Sequence, residues 1–277
     1  MKQKSKWQLA TQVQSNRLLG FVWPSKAADI ALYWFSSPIR FVRPLREEEY
    51  IRTAEVLVSR EGLHGYRWGR SERKVLLVHG WNGRGSQLGS FATPLVDAGF
   101  EVLAFDGPAH GESPGERTNP KLFAEAIQNV NQEFGPVESV IAHSFGVGCA
   151  VLTLHRGLKL KHVVLVAGPA NYQRVVEFYL KRVRLPRRAS KIFQQKLNDW
   201  VGIPSQQINI VQMGIPKNTK SLVVHDIDDK DVRFENAKIY QEAWSHSEFL
   251  ITSGLGHRRI LKDLQVIEKV KEFLLQE

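Results

Sequence analysis

From residue 54 onward, short apolar runs rich in β-branched residues alternate with longer stretches of helical pattern. That alternation predicts strands laid side by side with helices on the faces of the sheet. Strands are expected at 54–59, 65–68, 75–79, 101–106, 139–143, 162–167, 221–226 and 248–252, eight in all. The first two flank Glu61-Gly62 and suit an antiparallel hairpin, whereas the later ones are apolar nearly throughout, as parallel strands buried on both faces should be. Helices are expected near 87–97, 120–134, 145–156, 235–244 and 260–275, and Asn119-Pro120 supplies a cap and a first-turn proline.

Two segments stand outside the alternation. Residues 1–50 read as an N-terminal helical arm, dense in aromatics (Trp7, Phe21, Trp23, Tyr33, Trp34, Phe35), whose pattern stops at Ser37-Pro38. The arm is expected to pack on the body. Residues 171–217 interrupt the sheet between its sixth and seventh strands with a basic helical stretch, 175–200, broken at Pro186, and read as a small helical lid. Domain organisation is thus an arm at 1–50 and an α/β domain at 51–277 carrying the lid insertion 171–217.

A chain of 277 residues with 43% hydrophobic and 24% charged residues can bury a substantial core and has the balance of a globular protein. Its longest apolar runs, such as 18–23, are too short to span a bilayer, and no basic-apolar-small leader opens the chain, so a cytoplasmic protein is expected. The single cysteine, Cys149, excludes an internal disulfide and fits a reducing compartment.

The net charge of +10 is unevenly spread. Residues 1–26 hold Lys2, Lys4, Lys6, Arg17 and Lys26 with no acid, and residues 172–200 hold eight Lys or Arg against Glu177 and Asp199, so the rest of the chain is close to neutral. Nucleic acid is not the expected partner, because no reader motif or interleaved stacking aromatics accompany the basic residues. The 181–188 stretch, with Val175, Phe178, Tyr179 and Leu180 around it, suits a solvated lid face or a weak contact with an anionic membrane surface.

Chemistry points first to Val140-Ile-Ala-His-Ser-Phe-Gly-Val-Gly148, where an apolar strand meets a helix of small residues at Ser144. A serine in such a corner has its Oγ pushed out over the sheet edge, and Ala142, Gly146 and Gly148 let strand and helix approach closely. The pattern is G-x-S-x-G with Ala142 in the first position. A hydroxyl needs a base to become nucleophilic. His257 is the candidate, since Gly254-Leu-Gly-His257 follows the last strand on the same sheet edge and glycines let the ring swing towards the serine. His143 adjoins Ser144 but should point to the opposite face, and His79, His110 and His225 read as supporting or structural. The orienting carboxylate should leave the seventh strand, where Asp226, Asp228, Asp229 and Asp231 crowd together. Asp229 is chosen, with Asp228 its rival. That acidic run lacks the glycine and the terminal glutamate of a calcium loop, so no metal is expected. Oxyanion donors are expected in the N–H of Phe145, directly after the serine, and of Trp81, in the glycine-rich loop 79–85.

Together, His79-Gly-Trp81, Asp106-Gly-Pro-Ala-His-Gly-Glu-Ser113, His143-Ser-Phe-Gly146, His225-x-x-x-Asp229 and Gly256-His257 resemble an α/β-hydrolase from about residue 54 to the C-terminus. The stretch 75–113 looks most like bacterial α/β-fold hydrolases of unassigned substrate. The resemblance implies an eight-stranded, mostly parallel sheet with an antiparallel second strand and helices on both faces. It also implies a triad in the order Ser144, Asp229, His257, with Trp81 and Phe145 as oxyanion donors. The expected activity is hydrolysis of a small-molecule ester or thioester through an acyl-enzyme at Ser144, with no cofactor. The alternatives are an acyltransferase or a ligand-binding protein with vestigial turnover. A dehalogenase or epoxide hydrolase would carry Asp where this chain has Ser144.

Overall fold

The computed structural model describes residues 18–276. The arm's Trp7 and the basic residues Lys2, Lys4, Lys6 and Arg17 lie outside the described residues. The chain forms two compact units. One is Ile39–Ala170 with Ile210–Glu277; the other is Asn171–Asn209 with the chain up to Pro38.

The larger unit holds the whole sheet. Its strands are β1 Glu55–Val58, β2 His64–Trp68, β3 Lys74–Val78, β4 Glu101–Phe105, β5 Ser139–His143, β6 His162–Val166, β7 Lys220–Asp226 and β8 Glu248–Thr252. They lie in the order β1-β2-β4-β3-β5-β6-β7-β8. Only β2 runs antiparallel to its neighbours; every other neighbouring pair is parallel. Register explains the continuous apolar runs. Leu76 lies beside Leu103 and Val140 on one face, and Val75 beside Val102 on the other. Successive side chains serve opposite faces, so a strand covered on both sides needs apolar residues at every position.

Seven helices of this unit are α2 Leu45–Ile51, α3 Ala92–Asp97, α4 Pro120–Phe134, α5 Phe145–His155, α8 Ile210–Met213, α9 Glu235–Ala243 and α11 Leu264–Leu274, with the short α10 Gly256–Arg259 before the last. One core joins Leu76, Leu103, Val140 and Val163 to Phe123 and Ile127 of α4 and Val151 of α5. The other joins Val75, Leu77, Val102 and Val164 to Leu95 of α3 and Val266, Val270 and Phe273 of α11. The Asn119 side chain accepts the Leu122 N–H at 2.9 Å, capping α4 as its sequence predicts.

Three departures have local causes. The expected helix 87–97 is a 3-10 turn, Gly85–Phe91, followed by α3. Pro94 has no N–H to continue an α-helix from residue 90, but it is tolerated in the first turn of a new one. The helix expected over 260–275 restarts at α11 because Asp263 Oδ1 caps the N–H groups of Gln265 and Val266, both at 3.1 Å. Helix α2, inside the expected arm, belongs instead to the sheet unit: Trp68 Nε1 donates to Tyr50 O at 2.9 Å, and Ser86 Oγ to Glu47 Oε2 at 2.8 Å.

The smaller unit is helical. It contains α1 Pro24–Ser36, α6 Tyr172–Arg182 and α7 Arg187–Val201. Ala27, Ala28, Ala31 and Leu32 form the buried stripe of α1, and Ala189, Phe193, Leu197 and Val201 form that of α7. Phe35 packs its ring 4.8 Å from Tyr179 and 5.6 Å from Phe193, and the Tyr179 hydroxyl donates to Ala31 O at 2.8 Å. The arm and the insertion are thus joined in one body by their apolar faces. The insertion ends in this body at Asn209, short of residue 217, because Ile210 is buried in the core of the sheet unit. Among the described residues, no helix is long and apolar enough to cross a membrane.

Candidate active site

The turn from β5 into α5 holds Ser144 at φ 54, ψ −120, a left-handed conformation that costs a non-glycine residue about 1–3 kcal/mol. Tight packing holds it there. A Cβ placed on Gly146 would come within 2.6 Å of His79 O, and one on Gly80 within 2.8 Å of Ser144 Cβ. The loop after β3 is therefore pressed against the serine, and only glycines fit at those two positions. Ser144 itself is partly exposed.

From the other side, the loop after β8 turns through Gly254 (φ 77) and Gly256 (φ 65) to deliver His257. Its Nε2 lies 2.9 Å from Ser144 Oγ, and its Nδ1 lies 2.7 Å from Asp229 Oδ2. Asp229 comes from the loop after β7, and its Oδ1 accepts the N–H groups of Asp231 and Val232 at 2.8 and 2.9 Å. Burial alone would raise its pKa, but the His257 hydrogen bond and charge, with the two loop N–H groups, outweigh it and hold the carboxyl below its ordinary value. Asp228 and Asp226 are committed elsewhere. Asp228 Oδ2 accepts the Gly254 N–H at 2.8 Å, and Asp226 Oδ2 accepts from Thr252 Oγ1 and the Leu255 N–H at 2.7 and 3.0 Å. Among the described residues, no group of three His, Cys, Asp or Glu side chains is arranged to hold a metal ion.

The 79–85 loop is fixed from below by His79. Its Nδ1 donates to Gly80 O at 2.7 Å and its Nε2 accepts the Gly107 N–H at 2.9 Å, a pairing that requires the neutral ring. Burial drives its pKa down to about 4. Among the described residues, the N–H groups of Trp81 and Phe145 have no hydrogen-bond acceptor, and their rings meet edge-on at 5.2 Å. An open cavity of about 210 Å³ adjoins this loop, lined by residues including Arg40, Asn82 and Arg84; the serine and histidine do not line it.

The Alpha/beta hydrolase family model matches residues 75–263, well over half of the chain and the whole run from β3 to the beginning of the last helix. The chain belongs to the alpha/beta hydrolase family. As an α/β-hydrolase it shares its fold with an esterase of Pyrococcus furiosus, at 18% identity over 86% of this chain and 98% of that one, TM-score 0.62. A thioesterase domain from the curacin biosynthetic pathway is similar over 80% of this chain and 99% of its own, at 19% identity and TM-score 0.58. Alpha/beta hydrolase domain-containing protein 10 from mouse is similar over 80% and 96%, at 13% identity and TM-score 0.61. No curated protein matches the chain by sequence.

In this α/β-hydrolase the sequence-chosen Ser144, Asp229 and His257 lie in one hydrogen-bonded row, with Trp81 and Phe145 beside it. Two histidines that the sequence places near the site, His143 beside the serine and His225 as a supporting group, hold its loops. His143 Nε2 donates to His257 O at 2.9 Å, with the two rings 4.6 Å apart; burial and the neighbouring His257 push the His143 pKa down to about 3. His225 Nε2 donates to Val232 O at 2.8 Å and so anchors the turn whose N–H groups hold Asp229. Asp106 links two loops, accepting the Gly85 N–H at 2.7 Å and the Glu112 N–H at 2.8 Å. Its signal was the 106–113 motif.

Proposed function

We propose that the protein hydrolyses a small-molecule carboxylic ester or thioester through an acyl-enzyme at Ser144. The observation that carries this reading is the row Asp229 Oδ2, His257 Nδ1, His257 Nε2, Ser144 Oγ, with links of 2.7 and 2.9 Å. Both distances lie in the range needed for proton transfer between nucleophile and base. The esterase and thioesterase among the similar structures support the substrate class.

Attack by Ser144 Oγ on the acyl carbon sends the hydroxyl proton to His257 Nε2 and the carbonyl electrons to oxygen. The N–H groups of Phe145 and Trp81 stabilise that oxyanion, a contribution of about 3 kcal/mol per donor in comparable sites. Asp229 stays ionised, keeps the Nδ1 proton in place and stabilises the imidazolium. His257 then protonates the departing alkoxide or thiolate. A water then gives a proton to His257 as its oxygen bonds to the acyl carbon; the bond to Ser144 Oγ breaks, His257 passes the proton to Oγ, and the acid is released. Every proton in this cycle passes through one ring nitrogen, so neither metal nor organic cofactor is called for.

The test is hydrolysis of p-nitrophenyl esters and acyl thioesters of graded chain length, with Ser144→Ala as the comparison. The Ala variant should lose on the order of 10⁶ in kcat with folding intact. Equal rates in parent and variant would remove Ser144 from the reaction.

A further inference from the structure

We infer that the helical unit docks on an anionic lipid surface, through an apolar and cationic corner built from the arm and the insertion. Residues 18–38 and 171–209 hold nine Lys or Arg against Asp29, Glu177 and Asp199, a net charge of +6. The sheet unit, which carries the candidate active site, sums to zero. Among the described residues, positive charge is therefore concentrated on a body that has no part in the Ser-His-Asp row.

Within that body, apolar and basic residues meet at one place. Residues 18–22 are helical and end at Trp23, ahead of Pro24. A Cβ on Gly20 would lie 2.5 Å from the Pro186 ring, so this segment rests directly on the turn between α6 and α7. In the same segment Leu18, Phe21, Val22 and Trp23 are exposed, at 74%, 72%, 85% and 64%. Arg184 on the turn, and Arg187 and Arg188 at the start of α7, are exposed, and among the described residues none of them pairs with an acid. Arg184 sits at φ 51, closing α6 by hydrogen bonds from its own N–H to Lys181 O and from Leu185 N–H to Leu180 O. Glycine is the usual residue in that closing position, so a guanidinium is held at the corner despite a backbone cost.

Four exposed large apolar side chains in one short stretch are unusual on a water-facing surface. A bilayer interface accommodates both parts: aliphatic and aromatic groups enter the acyl boundary, with tryptophan at headgroup depth, while arginines meet lipid phosphates. A nucleic acid would engage the arginines and leave Leu18, Phe21 and Val22 in water. A second copy of the chain would bring another positive corner against this one. Anionic lipid satisfies both the charge and the apolar surface.

The experiment is co-sedimentation of the full chain with phosphatidylcholine vesicles, with and without about a third phosphatidylglycerol. Binding should require the anionic lipid and fall by an order of magnitude or more at roughly 0.5 M salt. Removing Arg184, Arg187 and Arg188 together as glutamines should weaken partitioning about 100-fold, near fivefold per residue. Phe21→Ser with Trp23→Ser should weaken it at least tenfold while leaving the melting temperature and circular dichroism unchanged. The lipid-charge and salt dependence of the unaltered chain test the idea even if a variant misfolds, and no arm of the experiment reads turnover. Absence of binding to anionic vesicles, equal binding to neutral ones, or insensitivity to both variant sets would overturn it. So would a dimer that the Phe21 and Trp23 changes convert to monomer, or duplex DNA binding that exceeds vesicle binding and ignores those changes.

Discussion

Replacing Asp229 by asparagine exchanges one carboxylate oxygen for an amino group, and the loop decides which one. Oδ1 accepts two N–H groups, from Asp231 at 2.8 Å and Val232 at 2.9 Å, while Oδ2 accepts only from His257 Nδ1 at 2.7 Å. An amide turned to keep its oxygen on His257 would set its NH2 against two backbone donors, leaving both unsatisfied at about 1–3 kcal/mol each. The amide therefore keeps its oxygen on the loop and points NH2 at Nδ1. His257 must then carry its proton on Nε2, where it faces Ser144 as a donor and cannot take the hydroxyl proton. Wrong-tautomer substitutions of this kind cost about 10⁴ in kcat, near 5 kcal/mol of barrier. Steady-state hydrolysis of a p-nitrophenyl ester should report that loss, with a melting temperature close to the parent's. Asp228→Asn, which touches only the Gly254 N–H, should stay within about threefold. An Asp229→Asn rate within tenfold of the parent, or a larger loss at Asp228, would refute the reasoning.

Two further outcomes follow from the same packing. Gly80→Ala would set a methyl 2.8 Å from Ser144 Cβ and 3.1 Å from His143 Nδ1; thermal melting should show about 1–3 kcal/mol of destabilisation and esterase assays at least a tenfold fall, and parent-like values in both would count against the close approach. Acid should unfold the protein early. Burial pushes His79, His143 and His110 down to about 4, 3 and 2, so below about pH 6.5 the unfolded chain binds protons that the folded one refuses. The stabilisation these neutral rings provide is complete above that pH and is lost as pH falls towards the folded values, by up to about 1.4 kcal/mol per pH unit for each ring. Urea denaturation at pH 7.5, 6.0 and 5.0 should give a steadily falling stability, and a flat profile would contradict the burial of neutral histidines.

The sheet was readable in the sequence because strands covered on both faces must be apolar at nearly every position, which makes runs such as 139–143 and 162–166 stand out. The elbow was readable for a related reason: the small residues around Ser144 stand out in an apolar run, and Gly146 packs against His79 O with no room for a side chain. Asp229 and Asp228 were harder to separate, because the choice depends on which loop N–H groups each carboxylate meets, and pattern does not encode that. Helix α2 is only seven residues long and follows Pro44 without a side-chain cap, so it carries little periodic signal. The 3-10 turn at Gly85–Phe91 shares its hydrophobic spacing with an α-helix, and only Pro94 hinted at the break. Grouping of arm with insertion rests on contacts between α1 and residues some 150 positions away, such as Tyr179 to Ala31, which local sequence cannot reveal.

Labelling with a fluorophosphonate, followed by peptide mass mapping, tests the central claim most directly, since the reagent bonds only to a serine whose proton a base can remove. Prompt modification of Ser144 in the parent, slowed by orders of magnitude in His257→Ala, is the predicted result. An unlabelled Ser144, or labelling at the same rate without His257, would mean that the 2.9 Å contact does not activate the hydroxyl.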